Sequence, residues 1–247
     1  MKKPLYLISG ASSGIGAAIV TELTKSGAQV LGIGRNEKRL IDLQNVVGKE
    51  NFIFEKRDLL HDTENLDKWV RSLSQQYGAF SGFVHSAGIQ KTIPLKTYQY
   101  HDFKQIFDLN VLSGLLVAKG VCHKTCNIGI GTSVVFISSI SANKGVAGLV
   151  GYSATKAAVN GAMRSLAKEV ARKGIRVNSI LPGFVMTEMI TQLSSTYDEN
   201  FLEKQKKNYP LGIGEPQDIA KLTRFLLSNE AKWITGSEIT IDGGCGL

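Results

Sequence analysis

Leu5-Tyr6-Leu7-Ile8-Ser9-Gly10-Ala11-Ser12-Ser13-Gly14-Ile15-Gly16 is the stretch on which the fold turns. Its apolar run predicts a buried strand over 5–9, and its glycines predict a tight turn. A helical pattern over 17–25 follows directly. A helix that starts there presents main-chain N–H groups and a positive dipole end to whatever occupies the turn, which suits a phosphate. On their own, the three glycines also fit an ordinary strand–helix turn.

Outward from this stretch, strand-like runs alternate with helical patterns. Strands are expected at 5–9, 28–34, 52–55, 82–86, 133–138, 175–181 and 238–241. Helices are expected at 17–25, 37–47, 64–77, 98–124, 152–173 and 216–228, the last with an apolar stripe through Ile219, Leu222, Phe225 and Leu226. Such alternation predicts an α/β fold, a doubly wound parallel sheet of about seven strands flanked by helices. Residues 186–209 are polar, with scattered apolar positions, and are expected to form one or two helices in a mobile segment. With no repeat or linker, residues 1–247 are expected to form a single domain. Its cofactor half is about 1–138 and its catalytic and lid half about 139–247.

Composition narrows the function. The 247 residues are 43% hydrophobic and 20% charged, as expected for a globular chain. No apolar run approaches the roughly 18 residues of a membrane span. The N-terminal apolar run ends at Ser9-Gly10, too short for a secretion signal, so a cytoplasmic protein is expected. Three cysteines do not make a disulfide framework. Cys122 and Cys126 flank His123 without further ligands nearby, and packing explains them better than a metal. The net charge of +8 suits an anionic cofactor or substrate. The basic residues are scattered rather than clustered, which argues against nucleic acid.

A second stretch, Gly151-Tyr152-Ser153-Ala154-Thr155-Lys156, places a phenol and an ammonium one turn apart on a helix. Free tyrosine titrates near about 10, and a neighbouring cation favours the phenolate. Alone, such a pair is also a common surface pair.

Together the two stretches resemble the short-chain dehydrogenase/reductase family. Ser9-Gly10-Ala11-Ser12-Ser13-Gly14-Ile15-Gly16 is similar to its Thr-Gly-x-x-x-Gly-Ile-Gly fingerprint, and Tyr152-x-x-x-Lys156 to its catalytic pair. The similarity extends from Leu5 to Gly244. It implies a catalytic set of Asn110, Ser139, Tyr152 and Lys156. Ser138 and Ser141 compete with Ser139, and the thirteen-residue spacing to Tyr152 favours Ser139. Ser139 and Tyr152 would hydrogen-bond the substrate oxygen, and Tyr152 would transfer the proton. Lys156 would lower the phenol pKa and hold the nicotinamide ribose. The Asn110 amide would bond main chain at a helix kink, hold a water that links Lys156 to solvent, or do both.

The resemblance also implies cofactor contacts from Gly10, Ser12, Ser13, Gly14, Ile15 and Gly16. Further contacts would come from Asp58 and Leu59 at the adenine, from Ser86, Ala87 and Gly88, from Tyr152 and Lys156, and from Pro182, Gly183, Val185 and Thr187 around the nicotinamide. NAD-preferring members carry an acid where this chain has Gly34. Arg35 follows and can pair with a 2′-phosphate, with Asn36 adding a hydrogen bond, so NADP(H) is expected over NAD. The family's Asn-Asn-Ala-Gly segment is His85-Ser86-Ala87-Gly88 here. No chemistry is assigned to His85, which is expected to pack against sheet or cofactor.

The implied function is an NADP(H)-dependent oxidoreductase acting on a carbonyl or secondary alcohol. The likeness is greatest to the 3-oxoacyl-acyl-carrier-protein reductases, through Tyr209 to Pro216 and Ile234 to Ser237. Lys173 is placed to meet an acidic carrier. The stretch Thr125 to Gly131, however, lacks the base that such reductases often carry. The alternatives are a sugar or small-alcohol dehydrogenase and, in another class, a non-catalytic NADP-binding regulator. Phe184, Met186, Met189, Ile190 and Leu193 are candidate pocket walls. The helices expected at 98–124 and 152–173 have apolar faces to spare, which implies a homotetramer, or a dimer.

Overall fold

The structure is a computed structural model that describes residues 3–187, 203 and 206–246. Seven parallel strands form one sheet: β1 (Leu5–Ser9), β2 (Gln29–Gly34), β3 (Phe52–Lys56), β4 (Gly82–His85), β5 (Ser133–Ile137), β6 (Arg176–Pro182) and β7 (Glu238–Ile241). Their order is β3-β2-β1-β4-β5-β6-β7. The order reverses between β1 and β4. In such sheets, ligands bind at the carboxyl ends of the strands beside that switch point.

Helices cover both faces of the sheet. Helices α1 (Gly14–Lys25), α2 (Glu37–Val47) and α3 (Leu66–Tyr77) follow the first three strands. Then come α4 (Tyr100–Phe107), α5 (Ser113–Val121), α6 (Val150–Val170) and α7 (Pro216–Leu227). Successive strand residues feed opposite layers, as the period of two requires. Leu5 and Leu7 pack in one core with Phe83, Phe136 and Met163. Tyr6 and Ile8 pack in the other with Ile19, Val84 and Leu226. Strands buried on both faces read as continuous apolar runs, which made them visible in the sequence.

Strands β1 and β7 and helix α2 fall where they were expected, and most other limits move by one to three residues. The helix expected at 98–124 does not run through. It divides into α4, a π turn at Asp108–Leu112 and α5. In the π turn, the Ser113 N–H donates to the Asp108 carbonyl, five residues back. Such turns are single insertions in α-helices and concentrate at functional sites. Most of the segment expected over 186–209 lies outside the described residues, including Met189, Ile190 and Leu193.

Candidate active site

A cleft of about 370 Å³ opens at the carboxyl edge of the sheet, spanning the switch point. Gly10, at φ +72°, turns the chain out of β1. A Cβ on Gly10 would lie 2.7 Å from the Ala87 nitrogen, so the loops after β1 and β4 meet backbone to backbone. Ser13 is the N-cap of α1 but makes no side-chain capping bond. The first-turn amides of α1 are therefore presented to the cleft, which Ser12, Ser13, Gly14 and Ile15 line. This cradle fits a pyrophosphate. Gly16 does not line the cleft. A Cβ there would lie 2.0 Å from the Gly10 carbonyl oxygen, so this glycine lets the helix pack on the turn.

At one end, Arg35, Asp58 and Leu59 line the cleft. Arg35 Nη1 lies 3.7 Å from Asp58 Oδ2, and both side chains are substantially exposed. Asp58 is held by the Leu60 N–H at 3.0 Å. Asn36 does not line the cleft. It is the N-cap of α2, and its Oδ1 accepts the Arg39 N–H at 3.1 Å. An asparagine just before a helix is well suited to this capping role, which engages its Oδ1. Arg57, beside Asp58, also lines the cleft. Its guanidinium stacks on Trp69, 4.4 Å from the ring centroid.

The loop after β4 contributes Ser86, Ala87 and Gly88 to the cleft. Asn110 sits in the π turn, fully buried and outside the cleft lining. Its Oδ1 accepts the Ile89 N–H at 2.8 Å. Its Nδ2 donates to the Ile89 carbonyl at 2.9 Å and to Thr155 Oγ1 at 3.1 Å. Both amide hydrogens are therefore committed to protein, so the side-chain amide acts as a clamp and has no N–H left for a water.

Ser139, Tyr152 and Lys156 line one wall of the same cleft. The three serines after β5 separate by role. Ser138 is buried and donates to the Lys156 carbonyl at 3.2 Å. Ser141 donates its N–H and hydroxyl to Ser139 Oγ, at 3.1 and 2.9 Å. Ser139 Oγ thus has its lone pairs engaged, and its own hydrogen can be donated into the cleft. Lys156 Nζ is buried, donates to the Ile137 carbonyl at 2.8 Å and lies 5.4 Å from the centroid of the Tyr152 ring. Burial pulls the Lys156 ammonium down to about 8.

The far end of the cleft is built by Pro182, Gly183, Phe184, Val185 and Thr187. Tyr209, which was not singled out in the sequence, joins them. Its phenol oxygen accepts the Phe184 N–H at 2.8 Å. An aromatic residue just ahead of Pro210, at the end of a polar stretch, was the available signal.

Comparison with known proteins agrees with this geometry. The family model described as enoyl-(acyl carrier protein) reductase matches residues 10–246. A 3-oxoacyl-[acyl-carrier-protein] reductase of Rickettsia typhi is 34% identical over 239 residues, covering 96% of this chain and 95% of that protein. A short-chain dehydrogenase/reductase structure from Mycobacterium ulcerans superposes with a TM-score of 0.90 at 28% identity, covering 99% of this chain and 90% of that one. A structure described as ElxO with NADP bound gives a TM-score of 0.87 at 28% identity, with 99% of each chain covered. With the glycine turn, the Tyr152–Lys156 pair and the switch-point cleft in one seven-stranded sheet, the chain belongs to the short-chain dehydrogenase/reductase family of nicotinamide-dependent oxidoreductases.

Proposed function

We propose that the protein is an NADP(H)-dependent reductase of a carbonyl substrate, with a 3-oxoacyl thioester as the favoured class. The observation that carries this reading is that Ser139, Tyr152 and Lys156 share one cleft with the glycine turn. The residues fit the cofactor: the amides of α1 suit a pyrophosphate, and Arg35 suits a 2′-phosphate beside a Gly34 that has no carboxylate to repel it. When bound, the nicotinamide supplies or accepts the hydride.

The chain's own groups do the rest. Ser139 donates its hydroxyl hydrogen to the substrate oxygen and fixes its position. Tyr152 delivers the phenolic proton to that oxygen in reduction and removes it in oxidation. Lys156 places a cation beside the phenol, which favours the phenolate. Asn110 holds the Gly88–Ile89 main chain and Thr155 of α6 in one arrangement. The thioester class follows from the likeness to the Rickettsia typhi reductase. A second reading, reduction of a smaller uncharged carbonyl, is favoured by the loop before β5. There Ile128 and Ile130 are exposed where a carrier-binding base was sought.

The test is NADPH oxidation followed by absorbance across 3-oxoacyl thioesters, sugars and small ketones. Turnover highest on 3-oxoacyl thioesters supports the first reading, and turnover confined to small ketones or sugars supports the second. Tight NADPH binding with no turnover on any carbonyl would replace both with a regulatory role.

A further inference from the structure

His85 ends β4, is buried, and takes no part in the chemistry above. Its Nδ1 lies 2.9 Å from Ser9 Oγ at the end of β1. Ser9 Oγ accepts the Ala87 N–H at 3.4 Å, which leaves its own hydrogen to be donated. The competing acceptor is the Val84 carbonyl at 3.5 Å, so the shorter contact to Nδ1 takes the hydrogen. An imidazole that accepts at Nδ1 and stays neutral carries its proton on Nε2.

Nε2 is buried and has no hydrogen-bond partner of good geometry among the described residues. The main chains of Asn110 and Leu109 are near enough to favour the charged imidazole, against the larger effect of burial. Both belong to the π turn. Ser113 N–H bonds the Asp108 carbonyl, and the Ser113 hydroxyl donates to the Leu109 carbonyl at 2.6 Å. A carbonyl has two lone pairs, so that bond still leaves one open. On the next residue of α5, a Cβ at Gly114 would lie 2.5 Å from His85 Cδ2. The imidazole occupies space that only a glycine at 114 leaves.

We propose that His85, as the Nε2–H tautomer, is a positioning residue that ties the ends of β1 and β4 to the π turn. The loop 86–89 is then anchored at both ends. His85 and Ser9 hold its start, and Asn110, carried on the π turn, holds Ile89. Between these anchors Ser86, Ala87 and Gly88 line the cleft. His85 sets the spacing between the anchors, and Gly114 makes room for it, so the two residues act as one unit. The consequence for cofactor binding rests on the nicotinamide site proposed above.

Two measurements on the intact protein test this. In the first, long-range proton–nitrogen correlation on histidine-labelled protein locates the imidazole proton, with His85→Gln providing the assignment. The proton is expected on Nε2, unchanged between about pH 5 and pH 8. A proton on Nδ1, or titration within that window, overturns the proposal.

The second measures NADPH and NADH affinity and thermal midpoint in variants. A glutamine amide reaches the position of Nε2, whereas an asparagine amide reaches only that of Nδ1. His85→Asn is expected to weaken NADPH binding about tenfold, and His85→Gln to stay within about threefold of wild type. Equal behaviour of the two variants overturns the proposal. Gly114→Ala is expected to lower the midpoint of the wild type but to be tolerated beside His85→Asn; equal losses in both backgrounds count against it. If the wild type binds neither NADPH nor NADH, the nicotinamide reading fails. The position of the proton and the 85–114 coupling still decide the role of His85.

Discussion

Asn110 and Ile89 exchange a reciprocal pair of hydrogen bonds, with Ile89 N–H to Oδ1 at 2.8 Å and Nδ2 to the Ile89 carbonyl at 2.9 Å. A side-chain amide thus satisfies both polar groups of one peptide, as a strand neighbour would. Asn110→Ala strands both groups, at a cost of about 1–3 kcal/mol for each that stays buried. For a chain of this size, with both groups stranded, that lowers the thermal midpoint by about 4–24 °C. Asn110→Asp keeps the acceptor for N–H but sets a carboxylate oxygen against the Ile89 carbonyl and Thr155. It is expected to be at least as destabilising as alanine despite its shape. A melting series on the two variants decides this, and a near-neutral Asn110→Asp would refute the clamp.

Tyr152 is expected to be needed for proton transfer and not for folding. Tyr152→Phe should lower turnover by about 10²–10⁴, the range of general acid–base catalysis, and leave NADPH affinity within about threefold. Single-turnover absorbance and equilibrium titration separate the two effects. A variant that keeps full turnover would remove Tyr152 from the chemistry.

Cofactor choice is expected to rest on Gly34 and Arg35. Among the described residues Arg35 is paired with Asp58 at 3.7 Å, an exposed contact that contributes little. Arg35→Ala should therefore fold normally and weaken NADPH about 10–100-fold, while NADH is nearly unchanged. Adding an acid is harder than removing the base. A Cβ at Gly34 would lie 3.1 Å from Ser12 Cβ and 3.3 Å from Leu40 Cδ1. Gly34→Asp alone is expected to weaken both cofactors, and Ser12→Gly beside it to recover NADH. Competition titrations with the two cofactors check this. An equal loss of NADPH and NADH in Arg35→Ala would overturn the assignment.

Buried titratable groups shape the stability–pH curve at both ends. Burial, reinforced by the Lys156 cation, pushes the His85 imidazole down to about 3 from its ordinary 6.5. Below 6.5 the unfolded chain takes up a proton that the folded chain refuses, so stability falls as pH drops from about 6.5 to 3. Lys156 is held at about 8 against an ordinary 10.5. Across that window the unfolded chain holds more protons, so stability rises with pH, and the penalty of burying the ammonium is full below about 8. His85→Gln should flatten the acid limb and Lys156→Met the alkaline one, as read by denaturant titration at each pH. Unchanged slopes would show that neither group is coupled to folding.

What was legible in the sequence was local. The run Leu5–Ser9, the turn at Gly10 and the Tyr152–Lys156 pair each depend on neighbours within one strand, turn or helix. At Asn110 a helix kink with a side-chain bond to main chain was legible, but its form as a π turn was not. Residues 108–112 have helical composition, and the insertion is stabilised by what Asn110 meets across the fold, Ile89 and Thr155. Gly16 was read as a cofactor contact because turn glycines look alike in sequence. Only the 2.0 Å approach to the Gly10 carbonyl oxygen marks it as a packing glycine. Arg57 and Tyr209 reach the cleft through tertiary contacts, with Trp69 and Phe184 respectively, that no spacing rule reports.

Tyr209 fixes the turn expected to meet the nicotinamide. Its oxygen accepts the Phe184 N–H, and burial pushes the phenol well above its ordinary range, so it stays protonated. The neighbouring segment adds main-chain bonds: Gly214 N–H to the Phe184 carbonyl at 3.1 Å, and Met186 N–H to the Gly214 carbonyl at 2.9 Å. Tyr209→Phe removes one acceptor and keeps the ring, so it is expected to raise the KM for cofactor about tenfold with kcat nearly unchanged. Gly183→Ala is a harsher probe of the same turn. Its Cβ would lie 2.7 Å from Tyr209 Cε1 and 2.8 Å from Asp242 Cα. A side chain can swing away, but the Asp242 main chain cannot. Gly183→Ala should therefore destabilise the protein as strongly with Tyr209→Ala as without it. Rescue by Tyr209→Ala would place the constraint on the ring rather than on the Asp242 main chain just after β7.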